Sequence, residues 1–250
     1  MAKTQSKSAV KDHPVVSHAA WLAARAELLA KEKEFTRLRD ELSRLRRELA
    51  WEKVEKKYVF DAPRGKETLS ELFDGRSQLL VYHFMFDSSW TEGCKSCSFL
   101  ADHYNAAVVH LNQRDVTLVT ISRAPLDQLH AFKQRMGWTF KWVSSHGTDF
   151  NQDFRVTFTP EEMSSGALLY NYGTIRPYSS ECPGLSVFYK DEQGIIFHTY
   201  SCYARGLDPL IGAYQLLDLV PKGRDEAGLK SSMAWVRHHD RYGEPVAVRL

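Results

Sequence analysis

The stretch Gln78–Cys97, QLLVYHFMFDSSWTEGCKSC, constrains the fold more than any other part of this sequence. Gln78–Phe86 is a continuous apolar run rich in Leu, Val, Tyr and Phe, which is typical of a strand buried on both faces. A short polar loop, Asp87–Gly93, follows, and from Cys94 onward the spacing of the apolar side chains predicts a helix. The sequence therefore predicts a Cys-x-x-Cys pair at the junction between a buried strand and a helix.

This position suggests redox chemistry for Cys94 and Cys97. At the start of a helix, unpaired backbone N–H groups and the helix dipole favour a thiolate over a thiol. Cys97 lies one helical turn further along, within reach of a disulfide. We therefore predict that Cys94 attacks a substrate disulfide and that Cys97 resolves the mixed disulfide. The alternative is a pair of buried or metal-holding thiols, because Cys-x-x-Cys also occurs in zinc sites.

The composition narrows the class of protein. Four cysteines in 250 residues do not make a disulfide scaffold and fit a reducing compartment. The net charge of +2, with both signs abundant, gives no bulk attraction to nucleic acid or to an anionic membrane. Residues 1–16 are polar, lack the apolar core of a signal peptide and are expected to form a flexible leader. No apolar run approaches the roughly 18 residues that span a bilayer, so we expect a soluble, cytoplasmic protein.

Residues 17–53 are predicted to form an N-terminal amphipathic helix. Ser17 can cap it, and no Pro or Gly interrupts the sequence before Trp51. Between Phe35 and Leu49 the apolar residues keep the alternating spacing of three and four that is typical of a coiled-coil seam. The helix either packs along the main domain or joins two copies of the chain as a homodimer.

Residues 54–220 are predicted to form the main domain. Val116–Ile121 reads as a second buried strand, and Leu126–Met136 reads as an amphipathic helix, so that a parallel strand–helix–strand unit follows the cysteine pair. Residues 138–182 look like an irregular, aromatic insertion. Pro183 precedes a predicted hairpin, and Leu207–Leu219 reads as the closing helix. Residues 221–250 form a polar tail, whose His238-His239-Asp240 run is expected to dock on the main domain.

The predicted order of elements, with a Cys-x-x-Cys at the first strand–helix junction and a Pro before the hairpin, resembles thioredoxin. The motifs GCKSCSFLADH, RMGW, SSHGTDFNQDF and TYSCYARGLD resemble the thioredoxin-like family called domain of unknown function 899. The resemblance implies an α/β thioredoxin-like fold, in which helices flank a mixed central sheet, with a long N-terminal helix and an insertion before the cis-Pro position. It also implies a dithiol–disulfide oxidoreductase that acts on a protein or small-molecule thiol or disulfide.

The resemblance also suggests a substrate groove around Pro183, with Trp90, Thr91 and Cys182 beside it. Thr91 stands three residues before Cys94, which matches the Thr-x-x-Cys of peroxiredoxins, whose Thr hydrogen-bonds the reactive sulfur. The Pro that peroxiredoxins carry four residues earlier is replaced by Asp87. A thiol-dependent peroxidase that uses Cys94 is therefore one alternative, and a metal-binding or redox-sensing protein without turnover is another.

Two further cysteines lie on or beside the predicted hairpin. Counting outward from its turn, with Lys190 opposite Ile195, pairs Pro183 with Cys202. This register predicts that Cys182 and Cys202 lie near each other and near Cys94, where they could relay a disulfide or complete a zinc or iron–sulfur site. The alternative is that both are small core residues. Gly-rich nucleotide-binding motifs are absent, so the sequence predicts no cofactor.

Overall fold

The computed structural model describes residues 13–166 and 169–243. It contains one eight-stranded mixed sheet in the order β1-β8-β7-β4-β5-β6-β2-β3. The strands are β1 Glu52–Lys53, β2 Val59–Ala62, β3 Gly65–Thr68, β4 Gln78–His83, β5 Val116–Ser122, β6 Lys141–Ser144, β7 Gly184–Lys190 and β8 Ile196–Tyr203. The helices are α1 His18–Glu48, α2 Lys95–Tyr104, α3 Val108–Asn112, α4 Leu126–Arg135, α5 Phe150–Asp153, α6 Pro160–Ser165 and α7 Gly212–Leu217.

Strand β4 lies in the middle of the sheet. It pairs in parallel with β5 and antiparallel with β7, and β5 pairs in parallel with β6. Leu79 and Val81 point to one apolar layer, and Tyr82 points to the other, so β4 is buried on both faces. This confirms the prediction of a buried strand followed by a parallel strand–helix–strand unit.

Two apolar layers cover the two faces of the sheet. One layer joins the sheet to α2, α4 and α7, and its aromatic members include Phe84, Phe132 and Trp142. The other layer holds Phe60, Phe150 and further apolar residues of β4 and β5. A mixed sheet with helical cover, and with the cysteine pair at the β4–α2 junction, is a thioredoxin-like fold, as the resemblance implied.

The predicted insertion at residues 138–182 is only partly an insertion. Its beginning contains β6, which pairs with β5 inside the sheet and buries Trp142 and Val143. The strand has only four residues, and neighbouring aromatic residues obscure its pattern, which is why the sequence suggested irregular structure there. The main domain, predicted to begin at residue 54, opens with β2 at Val59, and only the two-residue β1 precedes it.

The predicted register of the hairpin is wrong by two positions at its open end. Lys190 lies opposite Ile196, and an irregularity between Val187 and Phe188 shifts the pairing again, so that Leu185 faces Cys202. The extra residue cannot be found by counting from the turn, because a bulge changes the register within the strands. All peptide bonds of the described residues are trans, so the bond before Pro183 is not the cis bond that the resemblance implied.

Helix α1 stands apart from the core. Ser17 caps it by accepting a hydrogen bond from the Ala20 amide at 3.3 Å. Within the described chain, no residue of α1 is buried. Its last turn contacts the sheet through Arg46, whose guanidinium lies 5.4 Å from the centre of the Tyr200 ring. In the described ranges, no helix is both long and apolar enough to cross a membrane.

Candidate active site

The loop after β4 delivers Cys94 to the N-cap of α2. The Cys94 amide donates to the Met85 carbonyl at 3.0 Å, which fixes the end of the loop. The Cys94 carbonyl accepts hydrogen bonds from the amide and the hydroxyl of Ser98, both at 2.9 Å. The Cys94 sulfur accepts from the Cys97 amide at 3.5 Å. The capping group of this helix is thus the thiol itself, in place of the Ser, Thr or Asp usually found there.

The surroundings of the two thiols drive their pKa values apart. A hydrogen bond from the Cys97 thiol lowers the pKa of Cys94 to about 7, helped by the amides of Cys97 and Ser96 and by the charge of Lys95, while burial opposes the shift. Cys97 is only 2% exposed. Burial, together with the neighbouring Cys94, raises the pKa of Cys97 well above its usual range. At neutral pH a large fraction of Cys94 is therefore a thiolate, while Cys97 stays a thiol.

Tyr82 lies below the pair, on β4, and is 1% exposed. A hydrogen bond from its hydroxyl acts to lower the pKa of the Cys97 thiol, against the larger effect of burial. Burial, followed by the neighbouring Cys97, raises the pKa of Tyr82 well above its usual range, so the phenol stays protonated. This residue was not expected from the sequence, where it reads as an ordinary core position, and only its place on the strand under α2 identifies it.

A cavity of about 480 Å³ opens beside the two thiols. Its walls come from four parts of the chain: the cysteine helix, the end of β4, the Tyr178–Pro183 segment, and the turn and tail that follow β8. Side chains such as Leu100, Leu207 and Ile211 make most of the lining apolar. Both Cys94 and Cys97 line this cavity, so a bound molecule would lie against the reactive sulfur.

Of the four residues predicted around the substrate groove, only Pro183 lines the cavity. Cys182 lies in a separate apolar cluster with Val156 and Tyr170. Trp90 is half-buried against the apolar layer of α2 and does not line the cavity. Thr91 is exposed, and in the described part of the chain it donates no hydrogen bond to the Cys94 sulfur.

The predicted pairing of the hairpin cysteines is wrong, because Leu185 and not Pro183 faces Cys202. The convergence of all four cysteines on one end of the sheet stays a prediction. Cys202 belongs to the same apolar layer as Cys97, whereas Cys182 packs in the separate cluster. All four are free thiols. Burial raises the pKa of Cys182 to about 11, and that of Cys202 is also raised by burial. Within residues 13–166 and 169–243, no group of three or more His, Cys, Asp or Glu side chains has the arrangement of a metal site.

The C-terminal tail docks on the cysteine loop and helix, as predicted for its His-His-Asp run. The His238 Nε2 atom donates to the carbonyl of Gly93 at 2.9 Å, and Arg135 lies 3.2 Å from its Nδ1 atom. The carboxylate of Glu92 pairs with Arg241 of the tail and with Arg135 of α4. The loop residues directly before Cys94 are therefore held from both sides, by a helix and by the tail.

A buried ionic cluster connects two walls of the site. Arg123, directly after β5, pairs with Asp87, the first residue of the cysteine loop. It also pairs with Glu181 at 2.9 Å, two residues before Pro183. Glu181 is 1% exposed and accepts hydrogen bonds from the Thr157 hydroxyl at 3.0 Å. Burial raises the pKa of Glu181 to about 7, although the charge of Arg123 opposes this shift.

The sheet topology and the capped cysteine pair define a thioredoxin-like protein with a vicinal dithiol. The chain belongs to the family described as bacterial protein of unknown function (DUF899), whose model matches residues 10–242. No curated protein matches this chain.

Solved structures with a similar fold include two peroxiredoxins. Peroxiredoxin Q from Xylella fastidiosa, in a cysteine-to-serine variant, is 15% identical with a TM-score of 0.42, over 64% of this chain and 88% of the other. Peroxiredoxin Q from Xanthomonas campestris is 14% identical with a TM-score of 0.43, over 67% and 98%. A putative thiol:disulfide interchange protein DsbE from Chlorobium tepidum is 12% identical with a TM-score of 0.41, over 66% and 97%.

Proposed function

We propose that this protein is a dithiol–disulfide oxidoreductase that acts through Cys94 and Cys97. The observation that carries the proposal is the place of Cys94 at the N-cap of α2, where its sulfur accepts a hydrogen bond from the Cys97 amide at 3.5 Å and its pKa is lowered. A nucleophile with a pKa near the ambient pH is the best attacking thiol in disulfide exchange. The small number of cysteines, four in 250 residues, fits a reducing, cytoplasmic location.

The reaction consists of two exchanges. The Cys94 thiolate attacks one sulfur of a substrate disulfide R–S–S–R′, so that a Cys94–S–S–R bond forms and R′S⁻ leaves and takes up a proton. Cys97 then loses its proton and attacks the Cys94 sulfur, which releases RS⁻. Two electrons pass from the dithiol to the substrate, and a Cys94–Cys97 disulfide remains. An external dithiol reductant restores the starting state.

Tyr82 assists the second exchange in this mechanism. Cys97 must become a thiolate in an apolar layer, where burial opposes the charge. The Tyr82 hydroxyl donates to the Cys97 sulfur, and such a hydrogen bond stabilises the thiolate more than the thiol. Tyr82 is therefore assigned as a positioning residue for the resolving thiol.

The geometry supports disulfide exchange better than peroxide reduction. A peroxidase needs donors that stabilise the peroxide oxygens beside the attacking sulfur. Thr91, the residue that the peroxiredoxin pattern offers for this role, is exposed, and in the described ranges it does not bond to Cys94. A resolving thiol is instead already in contact with the attacking sulfur, as disulfide exchange requires.

The proposal is tested by trapping the mixed disulfide. Cys97→Ser protein should form a stable adduct with a disulfide substrate through Cys94, and the rate of adduct formation should rise with pH as Cys94 ionises, since the serine hydroxyl can replace the Cys97 thiol as hydrogen-bond donor. Mass spectrometry of the intact protein measures the adduct. The matched variant Cys94→Ser should trap nothing, because the pKa of Cys97 is raised. Adducts on Cys97, or none on either variant, would contradict the assignment.

We further propose that α1 pairs with α1 of a second copy. The large apolar side chains of α1 and of its C-cap residue Leu49 remain exposed on the single chain: Trp21, Leu22, Leu28, Leu29, Phe35, Leu38, Leu42, Leu45 and Leu49. Those from Phe35 to Leu49 keep the coiled-coil spacing, and a seam of this kind is stabilised when a partner helix covers it. Charged residues lie outside this apolar seam. Arg44, for example, pairs with Glu41 and Glu48 along the same helix.

Replacing two seam residues, in the variant Leu38→Lys/Leu45→Lys, should convert a dimer to a monomer, because two charges would enter the apolar contact. Light scattering measures the mass. The matched control Arg37→Ala/Arg47→Ala changes charge on the same helix outside the seam and should leave the mass unchanged. A full-length protein that is already monomeric would overturn this proposal.

A further inference from the structure

The polar backbone groups nearest Pro183 are already satisfied within the chain. The Cys182 amide donates to the Val156 carbonyl at 2.8 Å, and the two segments form an antiparallel bridge between Thr157 and Glu181. The Pro183 carbonyl accepts from the Tyr170 hydroxyl at 2.6 Å. A polypeptide that binds as an added strand needs free main-chain groups along an edge. Residues 156–158 already occupy the edge of the segment that leads to Pro183.

The tail forms part of the cavity wall. Ser231, Ser232 and Met233 line the cavity together with residues of the Ala204–Leu207 turn. The neighbouring Lys95 ammonium donates to the Ala234 carbonyl at 3.2 Å, so the tail is tied to the start of the cysteine helix. A segment folded across this end of the site restricts the approach of a large substrate to Cys94.

Glu226 holds this part of the tail in place. One of its carboxylate oxygens accepts three hydrogen bonds, from the Tyr214 hydroxyl at 2.7 Å, the Met233 amide at 2.9 Å and the Trp235 indole at 2.6 Å. The Trp235 ring then packs edge-on against Phe99 of α2, 5.5 Å between centres. The tail wall is thus built from charge-assisted hydrogen bonds and aromatic packing, which gives it a defined position.

The cavity that remains has the size and lining of a small-molecule site. Its volume of about 480 Å³ lies within the roughly 300–1,000 Å³ typical of ligand pockets. Its interior is formed by Tyr82, Met85, Leu100, Ile211 and other apolar groups. Charged side chains occur at the Arg205–Asp208 turn, where the two pair with each other at 2.8 Å. The walls therefore favour apolar groups on both sides of a disulfide bond.

We infer that the substrate of this dithiol is a low-molecular-weight disulfide with apolar arms, and that the tail excludes polypeptide disulfides. The inference rests on the proposed oxidoreductase function. The exchange is the one given above: the two substrate sulfurs leave as thiols, and Cys94 and Cys97 become joined. A dithiol compound supplies the electrons for the next turnover.

Reduction of dipropyl disulfide, glutathione disulfide and insulin by the full-length protein, with dithiothreitol as electron donor, tests the inference. The value of kcat/KM above the uncatalysed background should be at least tenfold higher for dipropyl disulfide than for either of the others. Ser232→Trp, which places a ring in the cavity from an exposed position, should lower kcat/KM for dipropyl disulfide at least tenfold. Glu226→Leu, which removes the tail anchor, should raise the rate with insulin and lower it with dipropyl disulfide.

The exposed tail residue Lys230 provides the control, since Lys230→Ala should change none of these rates. Thermal unfolding of each variant checks that it is folded. Equal rates for insulin and dipropyl disulfide, or no response to Ser232→Trp, would overturn the inference while leaving the oxidoreductase function intact. If diamide, a general thiol oxidant, does not produce a Cys94–Cys97 disulfide, the proposed function itself fails, and this result is distinct from a failure of substrate selection.

Discussion

Replacing Arg123 with methionine is expected to lower the free energy of unfolding by about 1–3 kcal/mol at pH 8, because a buried carboxylate loses its cationic partner. Arg123 contacts both Asp87 and Glu181, and Glu181 is almost completely buried. Methionine keeps much of the side-chain volume and removes the positive charge. The two carboxylates would then face each other without a cation between them.

The pH dependence of this loss follows from the pKa of Glu181. Burial raises that pKa to about 7, above the 4.5 of an exposed glutamate. A carboxyl group with a raised folded-state pKa reduces stability as the pH rises from about 4.5 through 7, because the unfolded chain releases the proton first. At pH 5, Glu181 is protonated in the folded wild type. It is protonated in the variant too, because removing Arg123 raises the pKa of Glu181 further. The loss should therefore be smaller at pH 5 than at pH 8.

Urea unfolding at the two pH values measures the effect. The double variant Arg123→Met/Glu181→Gln should be more stable at pH 8 than Arg123→Met alone, because the neutral amide can still accept the Thr157 hydrogen bond without carrying a charge. Arg114→Met, at an exposed arginine, is the matched control and should change the stability little. Equal losses at both pH values, with no rescue in the double variant, would mean that Glu181 does not carry the effect.

The elements nearest the dithiol were predictable because their signals are local. Strand β4, the polar loop and helix α2 follow one another directly along the chain. The pattern of apolar and polar residues within each segment predicts its structure. The place of Cys94 at the helix start followed directly from these signals. The strand–helix–strand alternation then restricted the topology to a parallel unit, since crossover connections of this length have few alternatives.

What the sequence did not reveal depends on contacts between distant residues. Tyr82 is one more aromatic residue in an apolar strand until α2 is placed above it. The pairing of Arg123 with Glu181 joins positions far apart in sequence, and so does the bond from His238 to Gly93. No local pattern encodes these contacts. The register of the hairpin also differs from the predicted one, because the turn shifts it by one position and the irregularity near Val187 shifts it by another.

Gly93→Ala is expected to disturb both the core and the reactive thiol. A Cβ atom on Gly93 would lie 2.6 Å from Cε1 of Phe84 and 3.0 Å from Cε1 of Phe132. Both rings are buried and pack against Trp138 and each other, so neither can move aside freely. Overpacking of this kind costs about 1–3 kcal/mol. A glycine-to-alanine change without a clash would instead stabilise the chain slightly, through the unfolded state.

The strain from that methyl group should reach Cys94, the next residue. The Cys94 amide bonds to Met85, and the Gly93 carbonyl accepts from His238, so a displaced Gly93 weakens both anchors of the loop. The sulfur would then lose its fixed position at the amides of α2, which help to lower its pKa. We expect Gly93→Ala to show a lower unfolding temperature and slower alkylation of Cys94 at pH 7.

Gly228→Ala, where nothing lies within 4 Å of the added atom, should change neither. If Gly93→Ala alkylates as fast as the wild type while losing stability, the loop geometry does not determine the reactivity of Cys94, and contact with the Cys97 thiol alone accounts for it.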